Sequence, residues 1–502
     1  MSFLRNKWVQ LSSLVLFLSV IGIYALKLKY AVRDPDLFWH LKVGDWIIAN
    51  SSLPHTGILS RTAANLSWVA YSWGYEVLLS ASYAIGGLVG VGVFGVALTV
   101  SVAFSLYWML YRLSGQFWLA VILGAITCSA FLFNGMPRPM FLSEIFYAVT
   151  LTLLLEAHRR VRIQILYWLP LLFILWANLH IQFIYGLFAV GLLVGVNVLQ
   201  RIAAWLNLQP QRLFVPALPL KSLLLVFSLC AAATLVGPNF YKPYLVILSY
   251  SKAKFTYSVI SELQPLSFQG YSHFAELFIA AAGFYAVGWR KKLDMFKLLL
   301  LTFACVVAFR TMRDAWFLCF SAAACIADYS EELPSAALEA SSQGHPWRNL
   351  AIATAAVILI LFVAAPATDF TMRSIDRSIS ADYPVNAVNF LRHNPVPGPL
   401  YNNLTWGGFL MWYLPELPVA IDGRNDLYGD NLDKLFYESE SGFATYTTDP
   451  YLDQAGVVVL DSKLPLAKLL TIDSRFALVY HDDIATVFAR RNTSRVNSLS
   501  QP

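Results

Sequence analysis

Long apolar runs are the feature that most constrains the fold of this chain. Residues 9–24, 88–110 and 350–365 are apolar for most or all of the thickness of a bilayer. Of the 502 residues, 58% are hydrophobic and 13% are charged, which is far from the composition of an ordinary soluble enzyme. The pattern therefore predicts a polytopic α-helical membrane protein.

Counting each apolar run as one crossing gives about eleven transmembrane helices. Their predicted ranges are 8–30, 88–110, 117–133, 140–157, 163–178, 183–198, 218–236, 272–289, 293–309, 314–327 and 349–365. With Arg5 and Lys7 inside, the basic clusters fall in loops on one side, as the positive-inside rule requires. We expect a cytoplasmic N-terminus on an uncleaved first helix. The net charge of +6 then sets topology, and no nucleic-acid partner is expected.

Residues 76–87 leave two alternatives open. They are apolar but precede another full-length run. A horizontal or re-entrant helix, broken at Gly86 and Gly87, preserves the predicted topology. A true crossing would invert every later loop and break the charge rule.

The composition changes near residue 367, which predicts two domains. Residues 1–366 form a transmembrane domain with a large first outer loop at 31–75, and 367–502 form an extracytoplasmic α/β domain. Within the second domain we predict strands at 419–422, 457–460, 476–480 and 486–489 and helices at 385–392 and 431–437. The last two strands are expected to pair as a hairpin.

The first outer loop holds the strongest candidates for catalysis, Asp34, Asp36 and His40. An acid in a groove from which water is excluded can serve as a general base, and two acids together can hold a divalent cation. The structural alternative makes Asp36 the N-cap of a helix over residues 37–48. His40 either positions a substrate hydroxyl or is a packed helical histidine.

Arginines on later outer loops are candidate phosphate ligands, because the guanidinium fork matches phosphate oxygens. They are Arg138, Arg310 and Arg313. Alternatively, Arg138 snorkels at the membrane surface, and Arg313 pairs with Asp314 or Glu276. Glu144, inside a predicted span, is costly in lipid and is expected to face the bundle or a cavity.

Six further residues are candidates for binding an acceptor or supporting the site. They are Asn178, His180, Glu262, Trp406, Asp422 and Arg424. Each has a structural alternative: hydrogen bonds between helices for Asn178 and His180, an ordered lid for Glu262, and a turn closed by its own ion pair for Asp422 and Arg424. Gly407 and Gly408 predict close backbone approach.

Several sequence tracts together resemble the GT-C superfamily of membrane glycosyltransferases, specifically a bacterial group similar to lipid-linked-sugar transferases. They are DPDLFWHLKVGDWI, PRPMFLSE, WANLH, LVGPNFYKPY and WGGFLMWYLPELPVAIDGRNDLY. The tract LTWGGFLMWY resembles the WWDYG signature of oligosaccharyltransferase catalytic subunits, but Gly407 stands where that signature has its acid. The resemblance implies a catalytic carboxylate in the first outer loop, here Asp34 or Asp36. It also implies a polyprenyl-phosphate sugar donor whose phosphate lies near outer-loop arginines.

We therefore expect a multi-pass enzyme of the bacterial cytoplasmic membrane, acting in the cell envelope with a periplasmic C-terminal domain. It would transfer a sugar from a polyprenyl-phosphate donor to a glycan, lipid or protein acceptor. No cofactor is certain, and a divalent cation on Asp34 and Asp36 is one option. The alternative is a non-catalytic partner or transporter in lipid-linked glycan assembly, for which broken helices and midplane acids are typical.

Overall fold

The computed structural model describes residues 6–26, 31–131, 138–207, 213–214, 218–289, 293–330 and 371–491. The chain divides into two compact units. The first unit consists of Met1–Lys27, Gly95–Phe240 and Ser261–Asp369, and the second of Leu28–Phe94, Tyr241–Ile260 and Phe370–Pro502. The second unit thus combines most of the first polar loop with the C-terminal part of the sequence. The domain boundary at residue 367 stays a prediction.

Helices make up most of the described chain before residue 331. They are α1 (Lys7–Ala25), α2 (Leu37–Asn50), α3 (Trp73–Ser114), α4 (Phe117–Phe131), α5 (Met140–Arg160), α6 (Leu169–Leu179), α7 (Phe183–Trp205), α8 (Leu220–Ala233), α9 (Lys242–Lys252), α10 (Lys254–Val259), α11 (Tyr271–Gly288), α12 (Met295–Arg310) and α13 (Ala315–Ser330). Two short strands, β1 (Leu213–Phe214) and β2 (Leu293–Asp294), pair in parallel.

The C-terminal part mixes helices and strands. In chain order it contains α14 (Met372–Asp382), α15 (Val385–His393), β3 (Leu400–Asn402), α16 (Gly407–Tyr413), α17 (Asn425–Glu440), α18 (Pro450–Asp453), β4 (Val457–Asp461), α19 (Pro465–Leu470), β5 (Phe476–His481) and β6 (Ala485–Arg490).

Within the described ranges, four helices are long and apolar enough to cross a membrane: α1, α3, α5 and α7. Shorter apolar helices, among them α4 and α8, occupy other predicted spans. The count of eleven and the topology stay predictions. The predicted span at 349–365 lies outside the described residues.

The predicted break at Gly86 and Gly87 is confirmed. Both residues leave helical geometry inside α3, with φ −142° and ψ 17° at Gly86 and φ 58° and ψ −146° at Gly87. The second pair of angles is one that residues with a Cβ rarely adopt, so glycine allows this bend. The position of residues 76–87 relative to a membrane stays a prediction.

Small side chains let the helices of the first unit approach closely. A buried cluster joins α4, α11, α12 and α13, and alanine and cysteine make up five of its eight residues. A Cβ placed on Gly283 of α11 would lie 3.0 Å from the Cβ of Ala322 on α13. Small residues at such contacts favour helix association in membranes. They allow close van der Waals packing, which matters there because the hydrophobic effect does not drive helices together in lipid.

The sheet of the second unit has the strand order β3-β4-β6-β5. Strands β3 and β4 are parallel, while β6 is antiparallel to both β4 and β5. The predicted β5–β6 hairpin and the β4 strand are therefore confirmed. The helix predicted at 385–392 is α15, and the one predicted at 431–437 is the later part of α17.

The strand predicted at 419–422 is wrong. Val419 forms an isolated bridge with Ser60, and no continuous strand follows among these residues. The side chain of Asn402 explains the difference, because it accepts from the Ala420 N–H at 2.8 Å and donates to the Ile421 carbonyl at 2.8 Å. These backbone groups are satisfied by a side chain, so no ladder partner is needed.

Helix α10 is anchored on α17 by two aspartates. Asp430 accepts the backbone N–H groups of Lys254, Phe255 and Thr256 at 2.7, 3.0 and 3.2 Å. The Thr256 hydroxyl lies 3.1 Å from Asp433 Oδ2, while the other carboxyl oxygen of Asp433 is buried with no hydrogen-bond partner among the described protein atoms. Burial and the nearby negative charge of Asp430 raise the pKa of Asp433 to about 7.

We predict that Asp433→Asn stabilises the protein at alkaline pH. The raised pKa means that the contribution of Asp433 to stability is fully present below its unfolded pKa of about 4 and is lost as pH rises through about 7. The stability gained by the variant should therefore grow by on the order of 2 kcal/mol between pH 5 and 8. Thermal unfolding of the purified protein across this range measures the effect.

Asp430→Asn is the matched control of opposite sign. Its backbone hydrogen bonds lower the pKa of Asp430 despite some desolvation, so the carboxylate stabilises the fold at neutral pH and loses this effect in acid. A difference between Asp433→Asn and the parent protein that does not change with pH would contradict the prediction.

Candidate active site

Asp34 and Asp36 lie at the start of α2 in the second unit. Asp34 is 3% exposed, and its Oδ1 accepts the backbone N–H of Asp36 at 3.1 Å. Asp36 Oδ1 accepts the indole N–H of Trp39 at 2.9 Å. Asp36 occupies the N-cap position of α2, as the structural alternative states, but its side chain makes no capping hydrogen bond to the helix. Its carboxylate faces an indole that lies within the same helix.

The Asp36 carboxylate is packed against the C-terminal tract. A Cβ on Gly423 would lie 2.0 Å from Asp36 Oδ1, and a Cβ on Gly408 would lie 2.7 Å from the Pro35 carbonyl oxygen. A Cβ on Gly407 would lie 2.0 Å from the Ile421 carbonyl. The predicted close backbone approach at the paired glycines is confirmed, and it fixes the acidic turn against residues 407–423.

A buried tyrosine, which the sequence analysis did not identify, accompanies the two acids. Tyr383 is 3% exposed, and its hydroxyl has no hydrogen-bond partner among the described protein atoms. Its ring stacks on Phe409 with the centroids 4.8 Å apart. Burial, together with the charges of Asp34 and Asp36, raises the pKa of Tyr383 well above its usual range. The hydroxyl is therefore neutral at physiological pH.

His40 is held by a buried acid. Its Nδ1 lies 3.2 Å from Glu76 Oε1, and its ring lies against Trp39 with the centroids 3.6 Å apart. His40 is 8% exposed and Glu76 is 1% exposed. An acid at one ring nitrogen fixes the orientation and tautomer of a histidine. The arrangement is compatible with packing or with positioning a substrate group.

The Asp–Gly–Arg element forms a closed ion pair. Arg424 donates to Asp422 through Nε at 2.8 Å and Nη2 at 2.7 Å, and Tyr428 donates to the same carboxylate at 2.6 Å. The guanidinium also lies over the Trp68 ring at 4.8 Å. The contacts of Asp422 and Arg424 match the structural alternative of a turn closed by its own ion pair.

Trp406 is likewise buried and donates its indole N–H to the Asp382 carbonyl at 3.0 Å.

A cavity of about 430 Å³ lies in the first unit. Its lining includes Arg138, Arg313 and Glu262, which the sequence analysis singled out, together with Glu144. Glu144 is fully buried, so the expectation that it faces the bundle or a cavity is confirmed.

Glu262 bridges the two arginines of this cavity. Its Oε2 lies 2.5 Å from Arg138 Nη1, and its Oε1 lies 3.7 Å from Arg313 Nη1. Arg313 therefore pairs with Glu262, which the sequence alternatives of Asp314 and Glu276 did not include. A carboxylate shared by two guanidinium groups marks a place where an anion with several oxygens is bound well. Arg310 ends α12, is exposed, and does not line the cavity.

Asn178 and His180 make hydrogen bonds between segments of the first unit. Asn178 donates to the Ile174 carbonyl of its own helix at 2.8 Å and to the Val236 carbonyl, on another segment, at 2.7 Å. His180 Nδ1 lies 2.7 Å from Ser143 Oγ. These contacts agree with the structural alternative.

The cavity also contains residues that the sequence analysis did not propose as ligands, notably Glu276, Trp316 and His273. Glu276 had a signal that could have identified it, since an acid within an apolar helix is usually functional. Among the described residues, no group of three or more His, Cys, Asp or Glu side chains is arranged to hold a metal ion.

Comparison with known proteins gives a match in structure alone. No protein-family model matches the sequence, and no curated protein matches it. The archaeal oligosaccharyltransferase AglB from Archaeoglobus fulgidus, in complex with an inhibitory peptide and a dolichol-phosphate, matches with a TM-score of 0.53 at 12% identity, over 91% of this chain and 69% of that chain. An apo form of the Archaeoglobus fulgidus oligosaccharyltransferase matches with a TM-score of 0.55 at 13% identity, over 92% of this chain and 70% of that chain.

ArnT from Cupriavidus metallidurans bound to undecaprenyl phosphate covers 99% of this chain and 100% of its own at 14% identity. Its TM-score is 0.47. The two archaeal structures show that this chain has a fold similar to that of the archaeal oligosaccharyltransferase. The resemblance predicted from the sequence is thereby confirmed at the level of fold.

We predict that Gly423→Ala displaces the Asp36 carboxylate. The added Cβ would lie 2.0 Å from Asp36 Oδ1, which is a severe steric clash. Either the backbone at residue 423 or α2 must therefore move. We expect a loss of about 1–3 kcal/mol in unfolding free energy, the usual cost of overpacking. Thermal unfolding measures the loss.

Gly86→Ala is the control for Gly423→Ala, because nothing lies within 4 Å of a Cβ there and its φ is negative. Unfolding temperatures that are equal for Gly423→Ala and the parent would show that Asp36 is not held as described.

Proposed function

We propose that this chain is an integral-membrane glycosyltransferase that moves a sugar from a polyprenyl-phosphate donor to an extracytoplasmic acceptor. The observation that carries the proposal is the acidic turn of Asp34 and Asp36, fixed against Gly423 in a fold similar to that of membrane glycosyltransferases. The AglB structure that matches this chain is a complex with dolichol-phosphate, which supports a polyprenyl-phosphate donor.

In the proposed reaction, an acid of the pair removes the proton from an acceptor hydroxyl. We assign this step to Asp36, because it is half-buried and so more open to an acceptor than the buried Asp34. The acceptor oxygen then forms a bond to the anomeric carbon of the sugar. The bond between that carbon and the phosphate oxygen breaks, and the lipid phosphate leaves with the electron pair.

Asp34 and the Trp39 indole are proposed to orient the base. Asp34 holds the backbone N–H of Asp36, and Trp39 donates to the reacting carboxylate, so the side chain keeps one geometry before the acceptor binds. His40, steadied by Glu76, is proposed to position a hydroxyl of the substrate.

A divalent cation remains an option at Asp34 and Asp36. Two carboxylates fit Mg²⁺, which commonly uses one or two protein acids and takes its other oxygens from water and substrate phosphate. Such an ion would supply positive charge beside the two acids. The protein's part would be to hold it through these two acids.

Arg138 and Arg313 are proposed to bind the donor phosphate in the cavity of the first unit. They offer two guanidinium groups, and Glu262 holds them in place through their fork atoms. A phosphate group would join or replace the Glu262 carboxylate. Fixed positive charge at this position would stabilise the negative charge that develops on the leaving phosphate.

The test is sugar transfer by Asp34→Asn and Asp36→Asn variants in proteoliposomes. Membranes would carry radiolabelled polyprenyl-phosphate-linked sugars, and the envelope fraction of the source cell would supply acceptors. We expect transfer to fall by about 10²–10⁴-fold for Asp36→Asn, the usual contribution of a general base, and less for Asp34→Asn.

Asp45→Asn is the matched control, because Asp45 lies on the same helix and its carboxylate is bonded to the Ser80 hydroxyl. It should transfer sugar within about threefold of the parent. Full transfer by both Asp34→Asn and Asp36→Asn at unchanged protein level would refute the catalytic assignment and favour the non-catalytic assembly role.

A further inference from the structure

The lining of the cavity in the first unit includes three polar side chains that the proposed reaction does not use. Glu144 on α5, Glu276 on α11 and Trp316 on α13 are 0%, 1% and 1% exposed. Both carboxyl oxygens of Glu144, Oε2 of Glu276 and the Trp316 indole nitrogen have no hydrogen-bond partner among the described protein atoms. We call these three residues the inner wall.

Unsatisfied polar atoms in such a position are costly. A buried hydrogen-bonding group without a partner loses its hydration and gains nothing in return, and a buried carboxylate costs still more. Three such groups from three helices line one cavity, whose volume is in the range of small-molecule sites, about 300–1,000 Å³. Because all three lie in the lining of one cavity, a ligand in that cavity can supply the missing bonds.

The chemistry of the inner wall narrows the class of ligand. The Trp316 indole can only donate a hydrogen bond, so the ligand must offer an acceptor there. A bare cation offers none. An anion would face four carboxyl oxygens, and a polyprenyl chain would leave every polar atom unsatisfied. A hydroxyl group both donates and accepts, so it can pair with the indole and with either carboxyl group.

We propose that the inner wall binds the hydroxyl groups of the donor's sugar. This inference rests on the proposed function, in which Arg138 and Arg313 of the same cavity bind the donor phosphate. The cavity would then recognise two parts of one molecule, with charge pairing for the phosphate and neutral hydrogen bonds for the sugar. The inner wall would contribute to the choice of sugar.

The experiment compares lipids that differ in the sugar alone. The purified full chain in lipid nanodiscs is titrated with undecaprenyl phosphate and with undecaprenyl-phosphate-linked glucose, galactose, mannose and N-acetylglucosamine. The measured quantity is the ratio of the Kd for the bare lipid phosphate to the Kd for each glycosylated lipid. For the parent protein we expect at least one sugar to give a ratio above about ten, equal to two good hydrogen bonds.

The variants remove hydrogen bonds while preserving shape. Glu144→Met, Glu276→Met and Trp316→Phe should each lower this ratio about fivefold and leave the Kd for bare undecaprenyl phosphate unchanged. Glu144→Gln keeps a neutral donor and acceptor, so it should stay within about twofold of the parent. Arg138→Ala should weaken binding of every phosphate lipid by a similar factor.

Thr150→Val is the control on α5, because its buried hydroxyl bonds to the Phe146 carbonyl and does not line the cavity. The proposal is overturned if none of the four sugars binds better than bare lipid phosphate, or if the inner-wall variants weaken both lipids equally. It is also overturned if Glu144→Gln loses as much as Glu144→Met, since that result indicates a cation site.

These measurements do not require turnover. Sugar-dependent binding that survives in Asp36→Asn, together with normal transfer by that variant, would refute the assigned base and leave the sugar site standing. If Asp36→Asn loses transfer as expected but no sugar-dependent binding is found, the assigned base stands and the sugar site is refuted.

Discussion

The contact between Asp36 and Gly423 is the constraint on which the second unit depends. A carboxylate from the first polar loop occupies the space that a Cβ would take in the C-terminal tract. The contact demands glycine at one end and a short acid at the other, and the glycines at 407 and 408 extend the same close packing along the chain. The Asp36 carboxylate is thereby fixed between the backbone at Gly423 and the Trp39 indole, which favours the fixed geometry that catalysis requires.

The sequence predicted the helical membrane fold, the break in α3 and the β5–β6 hairpin, because each has a local signal: apolar length, paired glycines, or alternating residues around a turn. It failed at residues 419–422, where an Asn402 side chain from elsewhere satisfies the backbone. It placed Asp36 at the N-cap of α2 correctly, but the Asp36 side chain makes no capping bond and instead accepts the Trp39 indole N–H three residues on. Local sequence patterns do not show which of several possible hydrogen-bond partners a group will take in the folded protein.

In the candidate site, too, some features could be predicted from residue type and others depend on how the helices pack. Residue type directed attention to Arg138, Arg313 and Glu144, which line one cavity, because charge in or beside an apolar helix is costly and therefore informative. They were poor guides to Asp422 and Arg424, whose buried ion pair stabilises a turn. The bridging role of Glu262 and the presence of Glu276 and Trp316 in one cavity depend on helix packing, which no spacing along the chain records.

The discontinuous make-up of the second unit has a consequence for biosynthesis. Trp68 donates to Asp426, a residue 358 positions later, and Arg61 bonds to the carbonyl of Tyr451. At about 5–20 residues per second, the first polar loop waits roughly 20 to 70 s for these partners to be made. During that interval its tryptophans and acids lack the neighbours that bury them in the finished protein. The acidic turn is thus synthesised early but reaches its folded contacts late. Chaperones that shield exposed loops would therefore act most strongly on this segment.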